Sequence, residues 1–93
     1  MDLNKHFLQQ DLHKALDETI CINNCGYLLE QALNEGNFKR ANFAIENISR
    51  SVKELEELNQ KKIARDHMEL IAQELRRREV IAERVLRRIW DAI

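Results

Sequence analysis

From Leu8 onward, apolar and small residues recur in alternating steps of four and three: Leu8, Leu12, Ala15, Thr19, Ile22, Gly26, Leu29 and Leu33. Steps of this kind keep one face of an α-helix apolar. The unbroken phase predicts one helix over about residues 3–35, roughly 50 Å long at ~1.5 Å per residue. It runs through Asn23, Asn24 and Gly26, which are poor helix formers, so a break near Asn23–Gly26 is the alternative. A second seam, Phe38, Ala41, Ile45, Ile48, Val52 and Leu55, predicts a helix over about 38–58 and fails in the polar stretch 59–62. A third, Ala64, Met68, Ile71, Leu75, Arg78, Ala82, Val85, Ile89 and Ala92, predicts a helix over about 62–92 and is regular apart from Arg78. No glycine or proline marks the change of phase between the last two seams, so the second and third helices are either joined by a turn or continuous.

The one clear stop is Asn-Glu-Gly-Asn at 34–37. Gly36 suits the left-handed residue that ends a helix, and Asn37 suits the N-cap of the next. So short a connection folds the second helix back antiparallel to the first. Gly36, Asn37, Phe38 and Ala41 resemble the hairpin turn of tetratricopeptide repeats. The resemblance covers about a dozen residues. A repeat of 34 would place glycine and alanine where this chain has Leu70 and Leu75, so it implies a tight helical hairpin and not peptide binding.

The chain has 93 residues, no proline and only two glycines. That suits a single domain and removes the punctuation of β-rich folds. With 44% hydrophobic and 33% charged residues, it is too apolar for a disordered chain and fits amphipathic helices. The expected fold class is all-α: an elongated helical hairpin or three-helix bundle with coiled-coil-like seams. Seams on helices of about 30 residues outrun what so short a chain covers, which predicts a homodimer or an obligate complex with another helical protein.

Charge is balanced, 15 basic against 16 acidic residues, but uneven: residues 1–35 carry six acids and two lysines, and residues 59–93 carry nine basic and six acidic residues. No stretch is apolar for long enough to span a membrane. The N-terminal residues lack the apolar core of a signal peptide. With two cysteines and no export signal, the expected location is a cytoplasm, that of a bacterium or of an infected host cell.

Little in the sequence carries chemistry. Cys21 and Cys25 are spaced for one helical face, and His13 and Asp17 continue that line. Four residues so spaced spread over ~18 Å, too far for one zinc ion. The simpler reading is packing: Cys21, Ile22, Cys25, Gly26, Leu29 and Leu33 form a broad, small-residue face against which another helix lies. His6, His13 and His67 are isolated, and no nucleophile–base set is suggested, so neither an enzyme nor a metal or cofactor is expected. Arg77, Arg84 and Arg88 align on one stripe, and Trp90, the only tryptophan, loads the C-terminus with apolar area. These four are the candidate partner-binding residues. The expected function is a non-enzymatic protein–protein interaction module, a regulator, inhibitor (one encoded by a phage included) or adaptor of a larger machine. The alternatives are nucleic-acid binding through the arginine stripe and a secretion-type chaperone.

Overall fold

A computed structural model of the chain describes residues 1–92. They form α1 (Leu3–His6), a 3-10 turn (Gln9–Asp11), α2 (Leu12–Asn34) and α3 (Phe38–Ala92). The fold is all-α, and α2 and the first half of α3 make a helical hairpin. The chain divides into two compact units, Met1–Ile63 and Ala64–Ile93.

One helix boundary differs from the seams. The helix expected over 3–35 is interrupted at Phe7 and Leu8, both in extended conformation, and it does not break at Asn23–Gly26. Of the two readings for the second and third helices, the continuous one holds: the stretch 62–92 is the second half of α3. The interruption has a packing cause. Extended backbone lets Phe7 turn back and bury to 4% exposure against Ala15 and Leu58, with Leu3, Leu12 and Leu55 around it. Full burial of such a side chain contributes about 1.5–3 kcal/mol, which outweighs one lost helical turn. The Asn59 side chain donates to the His6 carbonyl at 2.8 Å and fixes the returning segment on α3.

The hairpin turn follows the sequence. Gly36 has φ +70. The Gly36 N–H donates to the Leu33 carbonyl at 3.1 Å and the Asn37 N–H to the Ala32 carbonyl at 2.8 Å, the paired bonds of a Schellman ending. Asn37 Oδ1 then accepts from the Arg40 N–H at 3.1 Å and caps α3.

The helices of the hairpin meet through small side chains. Ala15 and Ala32 of α2 are fully buried, as is Ser51 of α3, with Ala41 and Ala44 beside it at 4% and 3% exposure. This corrects the second seam in part. Its Ala41 is buried and its Ile48 and Leu55 are half-buried, but Phe38, Ile45 and Val52 stand 66%, 49% and 48% exposed. The buried row is turned by about one residue, toward the alanines and the serine, because those let two backbones approach closely. Lys14 and Glu54 bridge the hairpin at 3.2 Å on one flank, and Lys61 lies 3.7 Å from the nearly buried Asp11. Such partly exposed pairs hold register more than they stabilise.

Ser51 is fully buried, and its hydroxyl has no hydrogen-bond partner. An unsatisfied buried hydroxyl costs about 1–3 kcal/mol. Ser51→Ala should therefore raise stability by about 1 kcal/mol in urea unfolding followed by circular dichroism. Gly36→Ala should lower it by about 1–2 kcal/mol, because a Cβ strains the left-handed backbone.

Candidate functional site

The sites expected from the sequence fall on different parts of the molecule. On α2, Cys21, Ile22, Cys25, Gly26 and Leu29 are half-buried, whereas Leu33 is 51% exposed. The packing face expected over this stretch is therefore only partly covered: α2 is most deeply covered at Ala15 and Ala32. Apart from its chain neighbours and the backbone of its own helix, no heavy atom lies within 4 Å of where a Cβ on Gly26 would stand. Its own partner helix thus makes no use of the glycine.

The two thiols sit 4.0 Å apart, sulfur to sulfur. Partial burial raises the Cys25 pKa above the ordinary 9.0; the hydrogen bond with Cys21 and its charge add to this, and Arg50 opposes it. Both cysteines are free. His13 faces Asp17 at 3.6 Å, with both side chains largely exposed. The line of four thus resolves into two separate pairs. Among the described residues no three histidine, cysteine, aspartate or glutamate side chains converge as metal ligands.

The arginines and the tryptophan belong to the second unit. From Ala64 to Ala92 every residue is exposed except the half-buried Ala72. The helix is amphipathic nonetheless: Met68, Ile71 and Leu75 begin an apolar row that Leu86 and Ile89 continue, all between 43% and 65% exposed. Arg78, the flaw in the third seam, turns to Glu74 at 3.6 Å on the margin of the row. Arg77, Arg84 and Arg88 fall within about 40° of one another at 100° per residue. None of the three has a carboxylate within 4.0 Å among the described residues. Trp90 is 76% exposed, more than any other large hydrophobic side chain among the described residues. It lies beside Glu83, Leu86 and Arg87 on a shallow depression and caps no core within its own unit.

Sequence reasoning missed a further surface. At 100° per residue, Leu16 and Leu33 of α2 and Phe38, Ile45 and Val52 of α3 fall on one flank of the hairpin, opposite the Lys14–Glu54 bridge. Each is between 45% and 66% exposed. The signal was present as the heptad spacing of Phe38, Ile45 and Val52, which reads equally as a core row or an outer one.

No known protein family, characterised protein or solved structure matches the chain. Among the described residues no helix is long and apolar enough to cross a membrane.

A raised pKa leaves less thiolate at a given pH. Cys25 should be alkylated by iodoacetamide more slowly at pH 8 than an unshielded thiol, with its half-point above 9.0. Cys21→Ala should speed the reaction by removing the neighbouring thiol, as read by mass spectrometry of the labelled peptide.

Proposed function

We propose that this chain is a non-enzymatic protein-binding module, working as a homodimer, which regulates, inhibits or couples a larger assembly by covering part of its surface. The observation that carries the reading is the second unit. Its helix over 64–92 keeps an apolar row and Trp90 in water. A helix with one apolar face is at its most stable when that face is covered, and laying it into a groove of another protein is a recurrent mode of recognition. Trp90 would serve as the anchor, since a large, rigid side chain loses little conformational freedom on burial. Arg77, Arg84 and Arg88 lie about 150° round the helix from the row, on its outer face, and would engage acidic residues of a partner that reaches round the helix. This mode needs no turnover, which agrees with the separation of the cysteine and histidine pairs. A cytoplasmic setting, a phage-encoded inhibitor included, is part of the proposal.

A second reading, phosphate binding, draws on the same three unpaired arginines. Salt separates the two. Phosphate-led binding weakens by ~10³-fold or more between 50 and 200 mM salt when six or so phosphates are contacted. An apolar helix-in-groove complex weakens far less. We expect a partner bound from the native host's extract to survive 200 mM salt, and Trp90→Ala to weaken it at least tenfold with helicity unchanged. Loss of binding by 200 mM salt, together with a shift of a labelled duplex at 50 mM, would put nucleic acid in its place.

A further inference from the structure

We infer that the helix over 64–92 pairs antiparallel with the same helix of a second copy of this chain, seam against seam, with residue 80 at the two-fold axis. The inference rests on the dimeric half of the function proposed above and gives that dimer its surface. Trp90, Arg77 and Arg84 each lie about 100° or more from the neighbouring seam residues. They stay outside the contact, so a partner's groove takes the paired helices by their Trp90 side.

The third seam has the form such pairing needs. From Ala64 to Ala92 its positions alternate strictly in steps of four and three. On a straight helix a seven-residue repeat drifts by ~20° per heptad, so it keeps one face together only when two helices wind round each other. Met68, Ile71, Leu75, Val85 and Ile89 of this seam stand between 43% and 65% exposed.

The charges beside the seam select the occupant and its direction. Between 68 and 92 the charged residues within about 60° of a neighbouring seam position are Glu74, Arg78, Glu79 and Arg88. In a parallel pair equal positions meet: Arg78 falls on Arg78 in the core, and Glu74 faces Glu79 across the rim. Both are contacts between like charges. Reversing the second copy about residue 80 removes them. Positions equally far from 80 then share a layer, so Ile71 meets Ile89 of the second copy, Leu75 meets Val85, and Arg78 meets Ala82, whose small side chain leaves it room. On one rim Glu74 faces Arg88 of the second copy, and the two-fold axis forms this pair twice. On the other rim the two Glu79 approach at the axis, each beside Arg78 of the opposite copy, so those four charges balance.

A two-fold contact requires a surface complementary to itself. This stripe meets the requirement, with an acid seven residues before Ile81 and a base seven residues after it. A groove in an unlike protein would account for the apolar row but not for that symmetry. Arg88 has no carboxylate within 4.0 Å in its own chain. Glu74 holds only an exposed contact to Arg78 at 3.6 Å, of a kind that contributes little and is readily exchanged.

Disulfide trapping tests the direction. In a Cys21→Ser, Cys25→Ser background, chains carrying Arg78→Cys and chains carrying Ala82→Cys are mixed in a glutathione buffer and the products weighed by mass spectrometry. We expect the mixed dimer, 78 to 82, to predominate. Sedimentation equilibrium on the full chain from 1 to 100 µM, with far-UV circular dichroism on each variant, tests the charge pair. The unaltered chain should be a dimer, Glu74→Arg and Arg88→Glu should each weaken it about tenfold, and the double exchange should restore it to within about threefold. The double exchange is decisive should a single variant lose helicity, because it keeps both charges and alters only their places. A monomer for the unaltered chain at 100 µM overturns the inference and the dimeric reading together. A dimer whose disulfides join equal positions, one that traps no disulfide, or one that the double exchange fails to restore overturns the inference alone; the homodimer and partner binding by Trp90 then stand.

Discussion

The structure depends on how closely α2 and α3 approach. The most deeply buried residues of the two helices are mostly small: Ala15, Ala32, Ala41, Ala44 and Ser51. Such residues bring backbones near but remove little apolar surface from water, at about 25 cal/mol per Å². The only large side chains buried in the first unit are Phe7 and Leu58, both at the end of the hairpin away from its turn. A contact built from small residues cannot also shelter long ones. Leucine, isoleucine and phenylalanine side chains are therefore pushed to the flanks, and the apolar surface that would stabilise a compact monomer is left facing outward. For a chain this size, with a correspondingly modest core, association is the natural remedy.

How far the sequence revealed this follows from the same contact. The seam on α2 is read well because its small and large residues share a face. On α3 the large residues, Phe38, Ile45 and Val52, and the small ones, Ala44 and Ser51, occupy adjacent stripes about 100° apart. Periodicity weights the large ones, so it selects the stripe beside the true contact. Gly36 is legible because a left-handed residue has few substitutes. The break at Phe7–Leu8 is not, since no proline or glycine encodes it and its cause is a contact with Leu58, far along the chain. The continuity of α3 through 59–62 was one of two open readings, and four polar residues in a row interrupt a buried face without interrupting a helix.

The two glycines show how differently one residue type can act. Gly36 is needed by the chain's own backbone, at φ +70. Gly26 has ordinary helical geometry with open space beside it. The cysteines one turn away lead to a similar point. The seam proposed that Cys21, Cys25 and Gly26 are small so that another helix can come near. The structure separates them: the thiols lie toward the bridged flank with Arg50 acting on Cys25, and Gly26 borders the uncovered flank.

The two units differ in their chemistry. The uncovered flank of the hairpin is largely apolar, with Glu30 exposed one turn from Gly26. The helix over 64–92 carries its apolar row on one face and Arg77, Arg84 and Arg88 about 150° round, so the arginines stay outside a contact made by the row. An acidic or phosphate-bearing surface would meet them favourably. The homodimer proposed above would present two Trp90 helices at once. Two modest contacts to one assembly then act as a linked pair, and the second forms at an effective concentration set by the dimer rather than by free diffusion. A single amphipathic helix with one anchor residue binds weakly alone; joined in this way it can hold a surface without a large interface on either copy.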